Sequence, residues 1–461
     1  MLGQLLAVPM KRVALHTLGC KLNFAETAAL GRQFRDSGYD VVDFSEPAEV
    51  VVLNTCSVTG AAERECLQII RRARRTSPDA AIIVTGCYAQ LRPADIASIP
   101  GVNLVLGTKE KGQLLDYVSH LRSTQSAAIA VTSVESFGGE TALASSAGYA
   151  ERTRAFLKIQ DGCDYQCSFC TIPRARGESR SVAPELVLKE AESIADSGYR
   201  ELVLTGVNVG DYGRKIGTSL LSLLKSLVLV DGLERIRVSS IEPNLLNDGL
   251  LEFWLEEPKL CKHFHVPLQS GSDAVLAAMR RRYRASWYED RVLRIIRAYP
   301  RAGIGADVLV GFPGESGGDF DETARFLADL PIAYIHVFPY SERPGTDAAG
   351  LKAVVDGHVR AERAETLRMI SDRKREAFHS SQVGRTVSVL VESAHDVTHR
   401  TGLTAEYVRV DFHDASVEPN DMVDVMITGS DKKGCRGALV AAGGRSGSDE
   451  EMVYQSTGGE R

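Results

Sequence analysis

Residues 161–173 read DGCDYQCSFCTIP, and Cys163, Cys167 and Cys170 stand in it at the spacing C-x3-C-x2-C. Three thiolates in eight residues can wrap one corner of a small inorganic cluster. Structural zinc takes four protein ligands, and no further His or Cys follows at zinc-like spacing. A [4Fe–4S] cube has four irons, so three cysteines leave one iron open to a small molecule. Three unrelated buried thiols are the alternative, and the tight spacing speaks against them. The stretch also decides the fold. It follows the apolar run Phe156–Ile159, which reads as a strand. The cysteines therefore stand at the C-terminal mouth of a first strand, where (β/α) barrels put their chemistry.

Outward from there, residues 151–378 repeat the pattern. Apolar runs at Leu202–Leu204, Ile236–Ser239, Phe264–Val266, Ala306–Val310 and Tyr334–Phe338 alternate with helical stretches such as Pro184–Asp196 and Trp287–Arg297. Six βα repeats predict a full or partial (β/α) barrel. Upstream, residues 11–122 alternate as well, with strands at Val13–Leu15, Val50–Leu53, Ile82–Val84 and Leu104–Leu106 and helices at Glu26–Arg35 and Ala61–Arg75. They predict an open, mostly parallel α/β sheet. Residues 123–150 are rich in Ala, Ser, Gly and Thr without Lys or Arg, and read as a linker. Residues 379–440 change character. Thr386–Glu392, Glu406–Phe412 and Met422–Thr428 look like short strands of a small all-β barrel. Gly, Ser and charged residues dominate from Gly429, so the end of the chain, and 441–461 in particular, reads as a disordered tail.

The 461 residues suit about three domains. With 44% hydrophobic residues, wholesale disorder is excluded. No apolar run approaches the roughly 20 residues of a membrane span. MLGQLLAVPMKR at the start has no basic region before its apolar stretch, so the expectation is a cytosolic protein without a secretory signal. Nine cysteines in a long chain with no export signal favour metal binding over disulfides.

A second set of cysteines shares one setting. Cys20 follows the first strand in HTLGC, Cys56 the second in LNTC and Cys87 the third in TGC. Consecutive ends of a parallel sheet converge on one edge, so the three could meet at one point. Gly19 and Gly86 would let the backbone turn tightly beside a cluster. Small thiols filling loop corners are the plainer alternative. Cys66 and Cys261 read as core or surface thiols and Cys435 as a tail residue, and the ten His show no ligand spacing.

C-x3-C-x2-C with the aromatic Phe169 before its last cysteine resembles the radical S-adenosylmethionine (SAM) superfamily. With the N-terminal trio and the C-terminal barrel, the chain resembles the methylthiotransferases from about 11 to 429. The resemblance implies a SAM-binding [4Fe–4S] cluster on Cys163, Cys167 and Cys170, an auxiliary [4Fe–4S] cluster on Cys20, Cys56 and Cys87, and a TRAM-like barrel that binds RNA in many members. TLGCKLN at 17–23 and NTCSVTGAAER at 54–64 resemble the subfamily acting on N6-threonylcarbamoyladenosine 37 of tRNA. LTGVNVGDYG at 204–213, VPLQSGSD at 266–273, ADVLVGFPGE at 306–315 and HVFPYSERPGT at 336–346 agree with it. The isopentenyladenosine group usually has Gln-Met where this chain has Lys21-Leu22. The ribosomal protein S12 group usually has a proline there.

The implied reaction inserts a methylthio group at C2 of that adenosine. One SAM methylates a sulfur at the auxiliary cluster, and a second yields a deoxyadenosyl radical that removes the C2 hydrogen. An external electron donor and a sulfur source are implied as partners. A methylthiotransferase for another modified adenosine or for protein S12 is the nearer alternative, and a non-catalytic iron–sulfur or electron-transfer protein the more distant one.

Further site residues follow. In the superfamily the loop after Leu202–Leu204 contacts the amino group of SAM, which points to Thr205 and Gly206, and Asn208 adds polar recognition. Ser240, Glu242, Gln269 and Ser270 lie beyond strand ends, as binding residues of barrels do, or as solvated loop residues do. Asp307 sits inside an apolar strand and needs a partner, either a ligand or an internal salt bridge. Net charge is −6, yet residues 272–301 hold eight arginines against three carboxylates, with Tyr283, Trp287 and Tyr288 interleaved. Arg280, Arg281, Arg282 and Arg284 are candidate contacts to the tRNA anticodon loop, a solvated helix face being the alternative. Arg64, Arg71, Arg72, Arg74 and Arg75 form a second basic run. The segment 383–429 is acidic, with three arginines against eight carboxylates, which is unusual for an RNA-binding module.

Overall fold

The structure, a computed structural model, describes residues 11–57, 59–120, 127–139, 141–149 and 152–440. The start of the chain at 1–10 and the expected tail at 441–461 lie outside the described residues. Six strands, β1 (Arg12–Thr17), β2 (Asp40–Val42), β3 (Val50–Thr55), β4 (Ala81–Gly86), β5 (Val102–Leu106) and β6 (Ala128–Ala130), form one parallel sheet. Their order is β2-β1-β3-β4-β5-β6. Strand side chains alternate between faces. Val13, Leu15, Val50, Val52 and Ile83 accordingly pack on Leu30 and Phe34 of the helix Lys21–Asp36. Ala14, Val51, Leu53, Ile82 and Val84 pack on Cys66, Ile70 and Ala73 of the helix Gly60–Thr76. The chain runs outward from β1 to β2 and returns to β3, so the ends of β1 and β3 flank the switch point of the sheet, where such sheets bind ligands.

The expected linker is partly built into the fold. β6 adds the sixth strand, and β7 (Ala144–Ser145) pairs antiparallel with β8 (Arg154–Lys158). Strands of three and two residues are too short to show a periodicity, and main-chain bonds to a neighbouring strand decide them.

The short pair β9 (Gln160–Asp161) and β10 (Arg180–Ser181) lies beyond β8. β8 pairs with β11 (Glu201–Thr205), and β11 with β12 (Arg235–Val238). β13 (His263–His265), β14 (Gly303–Val310) and β15 (Tyr334–Pro339) continue the array, all parallel. The halves join where Cys261 N–H donates to Ile236 C=O at 2.9 Å. Alternation puts Ile236, Val238, Phe264, Ile304 and Val308 under the outer helices. Their strand neighbours Arg154, Glu201, Arg237, His263, His265, Asp307 and His336 line the lumen.

The last five strands, β16 (Thr386–Ala394), β17 (His399–Thr404), β18 (Arg409–His413), β19 (Met422–Asp431) and β20 (Gly434–Leu439), close into a barrel. Two expectations are corrected here. Glu406 and Tyr407 form a turn rather than a strand start, with Tyr407 at φ +70°. Beyond Gly429 the chain continues as strand to Leu439, and Cys435 is buried in that barrel rather than in a tail. Gly and charged residues hid the strand beyond Gly429 because its buried core residue there is Cys435, with Leu439 packed beside that core. The β19–β20 hairpin adds Lys432, Lys433 and Arg436 against Asp431 to the acidic segment. Its β17–β18 turn plugs the lumen. A Cβ on Gly303 would stand 2.0 Å from Glu406 O, and Tyr407 stacks on His263 at 4.5 Å. Among the described residues no helix is long and apolar enough to cross a membrane.

Candidate iron–sulfur and SAM site

Cys20 caps the helix Lys21–Asp36, Cys56 directly follows β3, and Cys87 begins the short helix Cys87–Leu91. Two glycines with positive φ make this close approach. Gly19, at φ +99°, lies against Cys56, whose Sγ would be 2.9 Å from an added Cβ. Gly86, at φ +97°, lies 2.4 Å by the same measure from Thr55 O. Asn23 ties the loops together, donating to Leu18 O at 2.8 Å and Thr55 O at 3.1 Å. Cys20 is solvent-accessible, although the surrounding protein is dense enough to desolvate its thiol. Burial raises its pKa, with Arg176 acting against that rise.

The other trio surrounds a turn on the barrel mouth. Gly162, at φ +71°, passes so close to Glu178 that a Cβ would lie 1.9 Å from its carbonyl oxygen. Tyr165 N–H donates to Cys163 Sγ and Ile172 N–H to Cys170 Sγ, both at 3.4 Å. Arg281 Nη1 donates to Cys167 Sγ at 3.2 Å. Burial pushes the Cys163 and Cys170 thiols up to about 12 and raises Cys167 as well. A cationic metal would reverse that preference by binding the thiolate.

Thiols with N–H donors aimed at sulfur and glycine-cleared turns suit an iron–sulfur core. Among the described residues, the trio of metal-ligating side chains with all ligand atoms within 4.8 Å is His265, Asp307 and His336. Neither cysteine trio is that tight, whereas tetrahedral zinc holds thiolates about 3.8 Å apart. Spacing beyond that limit does not suit tetrahedral zinc.

Arg176 ties Cys87 to the segment that follows Cys170. It ends the helix Ile172–Arg176 that follows Cys170, and its Nε donates to Cys87 Sγ at 3.3 Å. Its other nitrogens reach Asn23 at 2.6 Å, Glu26 at 3.1 Å and Asp161 at 3.0 Å. Next to it, Gly177 C=O accepts from Cys163 N–H at 3.0 Å. Lys111 and Lys158 complete the buried cluster on Glu26. Burial opposes ionisation of Glu26, but Arg176, Lys111 and Lys158 overcome it and hold the carboxyl well below its usual range. Sequence reading missed this network, since its members are ordinary charges up to 150 residues apart.

The remaining candidates divide. Asn208 is buried with both side-chain polar atoms unpartnered, which is costly unless a ligand takes them. Its backbone N–H donates to Gln160 Oε1 at 2.9 Å, and Gly206 lies against the same side chain. Thr205 is buried at the end of β11. Ser240 bonds His265 Nδ1 at 2.6 Å. Asp307 accepts from His265 at 3.0 Å and His336 at 3.1 Å. Burial raises its pKa, and the two histidines more than offset this and hold it below the usual carboxylate range. This internal network satisfies Asp307, and sequence spacing could not reveal it. Glu242 pairs with Arg281. Gln269 adopts φ +71° in the loop after β13. Phe169 packs against Val275, Met279, Phe312 and Tyr340 as a structural wedge.

Three expectations fail. Ser270 is fully buried against Thr323 at 3.1 Å, spent on the loop's own packing. Arg281 is held inside by Glu242 and Cys167 and does not face RNA. Tyr283 and Tyr288 are buried, so they offer no stacking surface. Arg280, Arg282 and Arg284 are exposed, as is Trp287.

Residues 12–107 match the family described as Uncharacterized protein family UPF0004, and residues 157–327 match the Radical SAM superfamily. Threonylcarbamoyladenosine tRNA methylthiotransferase MtaB of Bacillus subtilis is 41% identical over 409 residues, covering 87% of this chain and 90% of that protein. The chain belongs to the radical SAM methylthiotransferase family. The MtaB of Aquifex aeolicus is 39% identical, covering 82% of this chain and 92% of that one. A tRNA-2-methylthio-N(6)-dimethylallyladenosine synthase of Helicobacter pylori is 34% identical, with 84% and 89% covered. In fold, this methylthiotransferase resembles the radical SAM methyltransferase TsrM of Kitasatospora setae, with TM-score 0.55 and 17% identity over 74% of this chain and 75% of that one. Methylthiotransferases of this kind use two [4Fe–4S] clusters and SAM.

Proposed function

We propose that this chain inserts a methylthio group at C2 of N6-threonylcarbamoyladenosine 37 in tRNA. The observation that carries the reading is Arg176, which binds Cys87 of one cysteine trio while its neighbour Gly177 binds Cys163 of the other. This direct tie between the two cysteine segments supports a reading in which the two cofactors work together. Cys163, Cys167 and Cys170 would hold one cube and Cys20, Cys56 and Cys87 the other. When bound, the clusters and SAM supply one-electron cleavage and the sulfur for an unactivated C–H position.

The chain's own residues bind, orient and exclude water. Asn208 offers a donor and an acceptor to the bound SAM. Arg281 fixes Glu242 beside Cys167. The Glu406–Tyr407 plug closes the lumen floor, which protects a reactive intermediate from solvent. An anticodon-loop base is single-stranded and splays out at little unpairing cost. Exposed Arg280, Arg282 and Arg284 and the exposed basic helix Gly60–Thr76 suit its phosphates. A cytoplasmic setting, an external reductant and a sulfur source complete the reading.

Mass spectrometry of tRNA nucleosides tests it. A deletion strain should lose 2-methylthio-N6-threonylcarbamoyladenosine and regain it with the gene restored. Unchanged levels, or loss of the dimethylallyl derivative instead, overturn the proposal.

A further inference from the structure

Lys21 opens the helix after Cys20 and is half-buried. Its ammonium stands 5.6 Å from the ring centre of Tyr407, on the plug that floors the lumen. Among the described residues its side chain makes no hydrogen bond and no ion pair. The two arginines near it, Arg237 and Arg154, hold other groups, although Arg154 Nη1 has no hydrogen-bond partner. Arg237 holds Glu201 at 2.7 Å and the carbonyls of Thr404 and Ala405 at 3.0 Å. Arg154 holds Glu392 at 2.6 Å. Lys21 is thus a half-buried ammonium with no ion pair of its own, beside an aromatic ring and two arginines, and the nearby Glu201 is held by Arg237. Such a charge is costly until an anion reaches it, and a charge-assisted bond then forms in a medium that screens it poorly.

The substrate proposed above carries one anion of its own, the carboxylate of its threonine arm. That arm hangs from N6, on the base edge next to C2. A base whose C2 meets the Cys20 site brings the arm to the residue beside Cys20. We propose that Lys21 reads this carboxylate and is a specificity-determining residue of the enzyme, an inference that rests on the substrate reading above. A dimethylallyl arm would leave the ammonium unpaired, so the same residue rejects it.

The test uses the cluster-loaded enzyme and two anticodon stem-loops, one with threonylcarbamoyladenosine and one with the threonine carboxylate converted to its amide. Affinity and kcat/KM are measured for each. Wild type should prefer the acid by roughly ten- to a hundredfold, the range of a hydrogen bond to a charged group. Lys21→Met should collapse that ratio toward one, in affinity as well as in turnover, and Lys21→Arg should keep most of it. Iron content of each variant reports whether the neighbouring Cys20 site survives. A wild-type ratio near one, or a ratio unchanged in Lys21→Met, overturns the assignment. Wild type that modifies neither stem-loop overturns the substrate reading itself. Should Lys21→Met fail to fold, loss of the acid preference in Lys21→Gln supports the assignment and its persistence overturns it.

Discussion

Arg176 Nε donates to the Cys87 thiol at 3.3 Å across the boundary between the N-terminal sheet and the barrel. The same guanidinium spans Glu26 and Asp161, one from each side. Removing it leaves two buried carboxylates short of a partner. Arg176→Met should therefore lower unfolding stability by about 3–5 kcal/mol. Arg176→Lys should recover only part, because an ammonium cannot fork across both acids. Denaturant titration checks both.

Cysteine replacement should separate the trios. Cys56→Ala or Cys87→Ala should reduce reconstituted iron from about eight to about four per chain and leave SAM cleavage intact. Cys163→Ala or Cys167→Ala should also leave about four irons, with cleavage lost. Anaerobic iron counting with a 5′-deoxyadenosine assay reads the difference.

Gly303→Ala should loosen the C-terminal barrel. The new methyl would meet Glu406 O at 2.0 Å, and neither strand nor plug can yield easily. A cost of about 1–3 kcal/mol is expected. Faster hydrogen exchange in the Glu406–Tyr407 turn would show it.

RNA binding should divide the arginines. Arg282→Ala or Arg284→Ala should each reduce the salt slope of log affinity by about 0.7, the loss of one single-strand phosphate contact. Arg281→Met should leave that slope unchanged and instead disturb the cluster at Cys167, beside which Arg281 is buried. Affinity against salt concentration tests both.

Glu201 should tie stability to pH. Burial raises its pKa, but Arg237 and then Arg154 and Arg235 overcome this, so the folded value lies below the unfolded one. Its stabilisation is present above the unfolded pKa of about 4.3 and is lost as pH falls through the lower folded value. Glu201→Gln should be less stable than wild type at pH 7, and the gap should shrink on acidification. Unfolding curves from pH 7 to pH 3 measure it.

Much of the candidate site was legible because its residue patterns are local or periodic. The spacing of Cys163, Cys167 and Cys170 is a short-range pattern, and Cys20, Cys56 and Cys87 follow strands whose apolar runs are plain. The misreadings have local causes as well. Arg281 looks like its neighbours Arg280 and Arg282 in sequence, and only the path of the chain beyond Met279 turns it inward. Ser270 stands in a polar loop, yet Thr323 on a later helix buries it.

Sequence alone determined the alternating α/β pattern, the two cysteine trios and the small terminal barrel, because side-chain period and residue chemistry are properties of neighbouring positions. Tertiary structure alone decided that Arg176 ties Cys87 to the segment after Cys170, that Glu406 and Tyr407 floor the lumen, that His265 and His336 satisfy Asp307, and that Lys21 is left without an ion pair of its own. Those are pairings between residues far apart in the chain, and packing selects them where burial makes an unmatched polar group costly.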